Sequence, residues 1–232
     1  MQSLLELKGV KYTGSGVLSS SLSMDKAKSK VMFNHFGVST PKWIEATKHC
    51  PISELDKQIK DTIKYPCIVK PNDQGSTIGL TKCNSSNELE ESMKLATQFA
   101  NNILLEEFIE GRELSVGIVQ GVPLPILEII PKHEIYDYEC KYTDGMSEYI
   151  VPAKIEKSLE IELQRQALIA FNSLSCEHYS RIDFRVDKDG IPYCFEINTL
   201  PGMTSHSLVP KMAAANGIQF NELVDIIIKL AL

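Results

Sequence analysis

The hydrophobic and polar positions of the chain switch between helical spacing and strict alternation, which predicts helices and strands in mixture. Alternation is sharpest over residues 179–198. There Ile182, Phe184 and Val186 alternate with Arg181, Asp183 and Arg185. After Asp187-Lys188-Asp189-Gly190, Ile191, Tyr193, Phe195 and Ile197 alternate with Cys194, Glu196 and Asn198. Two such runs around a glycine-containing turn predict an antiparallel hairpin. A two- or four-residue loop sets Asp183 opposite Cys194 and Arg181 opposite Glu196. One face is then apolar, and the other carries Arg181, Asp183, Glu196 and Asn198.

Elsewhere the pattern predicts a short helix within residues 3–18 and a helix over 24–36, with Ser23 as its N-cap and Gly37 as its stop. A short edge strand follows at 41–46, then a helix over 53–64 opened by Ser-x-x-Asp. Strands are predicted at 65–70 and 78–83, and a helix from 84 to about 100. Further strands fall at 103–108, 112–119, 124–130 and 147–151, with residues 136–146 as a loop. Helices are predicted at 158–174, 209–216 and 220–230. This order of strands, helices and hairpins points to an α+β fold rather than a regularly wound parallel sheet. The division predicted is a linker-like segment 1–23, a smaller α+β unit 24–107 and a larger one 108–232.

With 232 residues the chain can bury one or two sizeable cores. Its formal net charge of −6 gives no general attraction for nucleic acid or anionic membranes, though local basic pockets are compatible with it. The six cysteines, at 50, 67, 83, 140, 176 and 194, include no C-x-x-C pair. No basic-apolar leader and no apolar run of ~20 residues is present. These features predict a cytoplasmic protein whose thiols stay reduced and mostly pack cores, with Cys194 on the polar hairpin face as the exception.

Candidate chemistry clusters in a few places. Diagonal neighbours across an antiparallel pair lie roughly 7 Å apart, so Asp183, Glu196 and Asn198 can share hard cations such as Mg²⁺. Arg181 beside them suggests an anionic substrate such as a phosphate. Leu200-Pro201-Gly202-Met203-Thr204-Ser205-His206-Ser207-Leu208 adds a small-residue loop rich in donors. Lys70 ends a buried strand, where it needs a counter-charge or solvent. The following Asn72-Asp73-Gln74-Gly75-Ser76-Thr77-Ile78-Gly79 can aim backbone N–H groups at phosphate oxygens or form a plain turn; it is not a Walker A loop. Glu106, ending another strand, and Glu113 are acids that can accept from a base and a ribose, or simply face solvent. Tyr136-Asp-Tyr-Glu-Cys-Lys-Tyr142 has the content of a segment that closes over a ligand. No spaced His/Cys set predicts zinc, and His206 reads as a structural histidine.

Together these segments resemble the D-alanine–D-alanine ligases of the ATP-grasp superfamily. The resemblance runs through nearly the whole chain and is most specific in Glu196-Ile-Asn198-Thr-Leu-Pro-Gly-Met-Thr-Ser-His-Ser-Leu208. It implies an ATP-grasp fold, two α+β subdomains with the nucleotide between them. It also implies ATP-dependent joining of two D-alanines through an acyl phosphate, a step of peptidoglycan precursor synthesis. By resemblance, Lys26 and Lys70 meet ATP phosphates, Gly75, Ser76, Thr77 and Gly79 cover them, and Lys141, in the closing loop, also binds the nucleotide. Glu106, Glu107 and Ile109 read adenine, and Glu113 holds ribose. Asp183, Glu196 and Asn198 bind two Mg²⁺, with Mn²⁺ as a substitute. Arg181 and the Gly202 N–H stabilise the tetrahedral intermediate, Ser207 and Leu208 take the second substrate's carboxylate, and Ser76 and Tyr142 form a network at the first amino acid.

Members of that family begin with a further α/β domain that supplies an acid for the first ammonium group, and this sequence starts where that domain would end. The resemblance therefore implies either a fragment of a longer protein, or a short protein that borrows that half from a second copy or a partner or lacks it, with an impaired reaction. Two other readings are a ligase for a different amino or hydroxy acid and a non-catalytic ATP-binding module. The intact set Lys26, Lys70, Arg181, Asp183, Glu196 and Asn198 speaks against the last.

Overall fold

A computed structural model describes residues 1–143 and 145–232, without the side chain of Tyr142. Four strands, β1 (Trp43–Thr47), β2 (Cys67–Pro71), β3 (Thr81–Cys83) and β4 (Asn102–Glu107), form a first antiparallel sheet in the order β1-β4-β2-β3. The predicted edge strand is indeed β1 at the sheet's edge. The other strands are β5 (Gly111–Val119), β6 (Val122–Pro123), β7 (Leu127–Pro131), β8 (Ser147–Ile150), β9 (Tyr179–Asp187) and β10 (Pro192–Asn198). They form a second antiparallel sheet in the order β10-β9-β5-β7-β8, with β6 paired to β5. Strands change sheet between Glu107 and Gly111.

The helices are α1 (Gln2–Leu7), α2 (Val17–Met24), α3 (Lys26–His35), α4 (Ile52–Thr62), α5 (Leu89–Ala96), α6 (Tyr138–Tyr142), α7 (Lys157–Ser173), α8 (Leu208–Ala215) and α9 (Phe220–Lys229). Among the described residues no helix is long and apolar enough to cross a membrane. Leu55, Ile59, Leu89 and Met93 of α4 and α5 pack against Val69, Ile103 and Leu105 of the first sheet. Alternation along β5 organises the second. Leu114, Val116 and Ile118 join Ile182, Phe184, Leu163 and Phe171 in the core under α7. Phe33 and Val38 belong to that same core, so α3 packs on the second sheet. The other face of β5 carries Glu113, Ser115 and Gly117. At Gly117 it is covered by α8, where a Cβ would lie 3.2 Å from Met212 Sδ. Toward Glu113 it lines a cavity.

Several predicted elements differ from the structure for local reasons. The helix assigned to 24–36 is capped by Asp25, whose Oδ1 accepts from Lys28 N at 3.0 Å, rather than by Ser23. The predicted segment 3–18 divides into α1 and the start of α2, with a turn-rich stretch between them. No residue of α1 is buried, and Leu4 and Leu7 are exposed. The predicted loop 136–146 contains the short helix α6, because Asp137 caps it through Cys140 N at 2.9 Å.

The hairpin holds the most instructive difference. Its turn takes in Ile191, so that Val186 faces Pro192 and Phe184 faces Cys194. A bulge between Cys194 and Glu196 then adds a second one-residue shift, and Asp183 faces Glu196 while Arg181 faces Asn198. One shift exchanges the faces of a strand and two restore them. Glu196 and Asn198 therefore keep the expected face, whereas Cys194 turns inward and is fully buried beside Phe184. The expected pairings of Asp183 with Cys194 and of Arg181 with Glu196, and the polar-face placement of Cys194, are all corrected by these two shifts.

Candidate active site

The two sheets enclose a cavity with about 930 Å³ of empty space, open mouth included. Its lining draws on both sheets: Lys70 from β2, Glu106 from β4, Glu113 from β5, Asp183 and Arg181 from β9, and Glu196 from β10. Lys26, Gly75, Ser76, Thr77, Glu107, Ile109 and Lys141 also border it.

At one side α3 delivers Lys26. Asn72 fixes the start of that helix: its Oδ1 accepts from Ala27 N at 2.9 Å, and its Nδ2 donates to Asp25 Oδ1 at 2.8 Å. The Lys26 ammonium then donates to Gln74 O at 2.6 Å, which ties the helix to the loop 74–79. Burial lowers its pKa, against the pull of Glu196. Ser76, Thr77 and Gly79 of the loop lie in the left-handed region, at φ +53°, +62° and +69°. Left-handed non-glycine residues are held only where the surroundings dictate them. One such restraint is Thr77 Oγ1, which donates to Tyr136 O at 3.1 Å.

The counter-charge that Lys70 requires is Glu106, in direct contact with its ammonium. A second, fully buried lysine reaches the same carboxylate. Lys30 Nζ lies 3.0 Å from Glu106 Oε2 and donates to Thr40 Oγ1 at 2.9 Å and Pro41 O at 3.1 Å. Burial pushes the Glu106 carboxyl up, but Lys30 and Lys70 outweigh it and hold the group below its ordinary range. Next to Glu106 the wall is apolar, made of Ile68, Phe108, Ile109, Ile129 and Ile135. The Glu107 N–H is already used by Lys42 O at 2.9 Å.

Across the cavity Asp183 is buried and strongly held. Arg181 donates to it from Nε and Nη2, both at 2.8 Å, Ser115 Oγ at 2.5 Å and Asn198 Nδ2 at 2.9 Å. Burial opposes the charge of Arg181, and Asp183 more than offsets this, raising its pKa. Glu196 faces Asp183 but makes no ion pair among the described residues. Burial pushes its carboxyl up, yet Lys26, Lys141, Lys70 and Arg181 together bring it down to about 2. Two carboxylates and an amide, all oxygen donors on adjacent strands, fit a hard dication such as Mg²⁺.

This sequence also matches the family model described as D-ala D-ala ligase C-terminus over residues 32–229. The chain belongs to the D-alanine–D-alanine ligase family. Among its relatives, the D-alanine–D-alanine ligase of Syntrophotalea carbinolica is 42% identical over 226 residues, 97% of this chain and 72% of the relative. The Bacillus anthracis D-alanine–D-alanine ligase complexed with ATP superposes with a TM-score of 0.84 at 35% identity, over 99% of this chain and 73% of that one. The Enterococcus faecalis VanG D-Ala:D-Ser ligase does so with a TM-score of 0.89 at 30% identity, over 100% and 68%. The fold is accordingly the α+β ATP-grasp fold of the D-alanine–D-alanine ligases.

Not every residue singled out in this ligase-family sequence borders the cavity. Asn198 joins it through Asp183. Gly79 braces the loop from behind, where a Cβ would meet Phe99 at 2.7 Å and Pro71 at 3.0 Å. Gly202, Ser207 and Leu208 form a separate knot after β10. Ser207 Oγ accepts from Thr204 N at 3.1 Å, a Cβ on Gly202 would lie 2.9 Å from that oxygen, and Leu208 is buried at the start of α8. Lys141 lies 5.2 Å over the Tyr136 ring. The side chain of Tyr142 lies outside the described residues.

Sequence reasoning missed Lys30, Ser115 and Phe195. Lys30 follows Lys26 by one helical turn, a spacing that could have flagged it. Ser115 occupies an alternate position of a strand whose pairing with β9 no local pattern reveals. Phe195 enters the cavity wall, its ring centroid 5.9 Å from the Lys70 ammonium, because the one-residue shift at the turn exchanges the faces of β10 ahead of the bulge.

Proposed function

We propose that this chain is an ATP-dependent ligase that joins two D-alanines, with the cavity between its sheets as the ATP site. One observation carries the reading. Two lysines, Lys26 and Lys70, share a single cavity with the oxygen donors Asp183 and Glu196, the combination that a triphosphate with its divalent counter-ions demands. The family membership supports the same conclusion.

A carboxylate and an amine do not condense unaided, because the leaving oxygen is poor. Transfer of the γ-phosphoryl group to the first D-alanine's carboxylate creates an acyl phosphate. The second amine attacks its carbonyl carbon, and phosphate departs with the electron pair of the C–O bond. The protein's task is to position the reactants and neutralise charge. Lys26, Lys70 and Lys141 neutralise phosphate oxygens, and the loop from Gly75 to Gly79 covers them. Glu106 accepts from the adenine amino group beside the apolar wall, Glu107 and Ile109 meet the base through backbone, and Glu113 holds ribose. Asp183, Glu196 and Asn198 would hold two Mg²⁺, or Mn²⁺, which would supply neutralisation of the charge on the triphosphate. Arg181 and the Gly202 N–H face the negative oxygen of the tetrahedral intermediate. Ser207 and the Leu208 N–H bind the second carboxylate, and Ser76 and Tyr142 orient the first amino acid.

Titration calorimetry with ATP and Mg²⁺ tests the site. The expected result is a single Mg²⁺-dependent site, weakened about tenfold or more in Lys70→Met and in Glu196→Gln. Wild-type affinity in both variants would overturn the assignment.

A further inference from the structure

Beyond β7, the start of α6 brings together three side chains that the ligase reading does not use. His133, Asp137 and Cys140 each offer one ligand atom, and these atoms all lie within 4.8 Å of one another. Among the described residues no other three histidine, cysteine or acidic side chains do so. The spacing H-x3-D-x2-C is unremarkable in sequence; the cap of α6 turns it into a cluster. Asp137 Oδ1 accepts from Cys140 N at 2.9 Å, which aims Oδ2 at His133 Nδ1, 2.7 Å away. Cys140 is buried beneath them at 1% exposure.

We propose that His133, Asp137 and Cys140 form a binding site for a transition-metal dication of the Zn²⁺ class, distinct from the oxygen donors of the main cavity. Imidazole nitrogen, thiolate sulfur and one carboxylate oxygen are ligands that zinc and cobalt prefer and magnesium does not. Three protein ligands leave a fourth tetrahedral position for water. Zn–N, Zn–O and Zn–S bonds of about 2.0–2.3 Å set ligand atoms roughly 3.2–3.7 Å from each other, so the wider separations must close by up to about 1 Å while His133 Nδ1 and Asp137 Oδ2, hydrogen-bonded at 2.7 Å, part by about half an ångström to admit the ion. The backbone N–H on Asp137 Oδ1 is the outer hydrogen bond that orients a ligating carboxylate. On binding, Cys140 Sγ gives up its proton to solvent, and the remaining His133 ring proton sits on Nε2, so that the Nδ1 lone pair faces the ion. The ion would fasten α6, which carries Lys141 into the main cavity, to the segment that follows β7.

The test is spectroscopic and needs no ligase turnover, so its outcome is separate from that of the ligase reading. Co²⁺ is titrated into the reduced full chain. The expected result is a 1:1 sulfur-to-cobalt charge-transfer band that survives excess Mg²⁺. The band is lost in Cys140→Ser, its Co²⁺ affinity falls about tenfold or more in His133→Ala, and it is unchanged in Cys50→Ser, which removes the most accessible other thiol. Circular dichroism verifies that each variant is folded. Absence of the band in the wild type, or its persistence in folded Cys140→Ser, would overturn the site.

Discussion

Asp183 and Glu196 stand directly opposite each other on β9 and β10, just beyond the bulge that follows the inward-facing Cys194 and returns Glu196 to the polar face. Opposed carboxylates repel unless cations lie between or beside them. Arg181 and Asn198 engage Asp183, while Glu196 is left to the field of Lys26, Lys141, Lys70 and Arg181. Glu196 is thus the carboxylate most available to an incoming dication. Glu196→Gln should retain the fold and lose turnover by about two to three orders of magnitude. ADP release at saturating Mg²⁺, alongside thermal unfolding, checks both halves of that expectation.

Lys30 bears on stability rather than on contact with ligand. It sits with no exposure against Glu106 Oε2. Lys30→Met leaves one buried carboxylate oxygen without its cation and should destabilise the protein by about 3 kcal/mol. The double variant Lys30→Met/Glu106→Gln should recover part of that loss, because the uncompensated charge is gone. Urea unfolding of the two single variants and the double variant gives the coupling; simple additivity would refute it.

Glu113 gives the pH dependence. Burial pushes its carboxyl up to about 7, with Asp183 and Glu196 adding to the push and Arg185 and Lys141 opposing it. A glutamate in the unfolded chain titrates near about 4.3. Between those values the folded protein keeps a proton that the unfolded chain has lost, so this group lowers stability as pH rises through the window. Glu113→Gln removes the effect. The variant should be more stable than the wild type at about pH 8, by on the order of 2 kcal/mol, with little difference at about pH 4. It should also bind ATP more weakly, since the proposed acceptor for ribose is weakened. Denaturant unfolding at the two pH values measures the first claim and calorimetry the second.

Gly79 tests the brace behind the phosphate loop. At φ +69° a side chain is strained, and its Cβ would press on Phe99 and Pro71. Gly79→Ala should lower stability by about 1–2 kcal/mol. It should also raise the KM for ATP more than it changes kcat, since the loop is displaced while Asp183 and Glu196, the proposed metal ligands, are not. Steady-state kinetics with varied ATP separates the two.

Much of this architecture was legible in the sequence because it depends on local pattern. Alternation located β9 and β10, a short apolar run located β2, and amphipathic spacing located α7. Most of the charged candidates, from Lys26 to Glu196, line one cavity. What escaped was non-local or hinged on single-residue shifts. The register of β9 against β10 depends on a turn that takes in Ile191 and on a bulge between Cys194 and Glu196, neither of which the sequence announces. Phe195 therefore appeared as a core residue and Cys194 as a polar-face one, although each takes the opposite place. Lys30 was passed over, despite its one-turn spacing from Lys26, because a buried lysine is disfavoured until its partner is known, and Glu106 lies on a strand 76 positions later in the chain. The cap at Asp137 turned a predicted loop into α6 through one side-chain hydrogen bond.

The most direct test of the account follows product. The purified chain is incubated with ATP, Mg²⁺ and D-alanine, and ADP and D-alanyl-D-alanine are quantified together by enzymatic assay and mass spectrometry. The expected result is dipeptide formed one-for-one with ADP, abolished in Glu196→Gln and absent with L-alanine. ADP released without dipeptide, or dipeptide formed equally by Glu196→Gln, would contradict it.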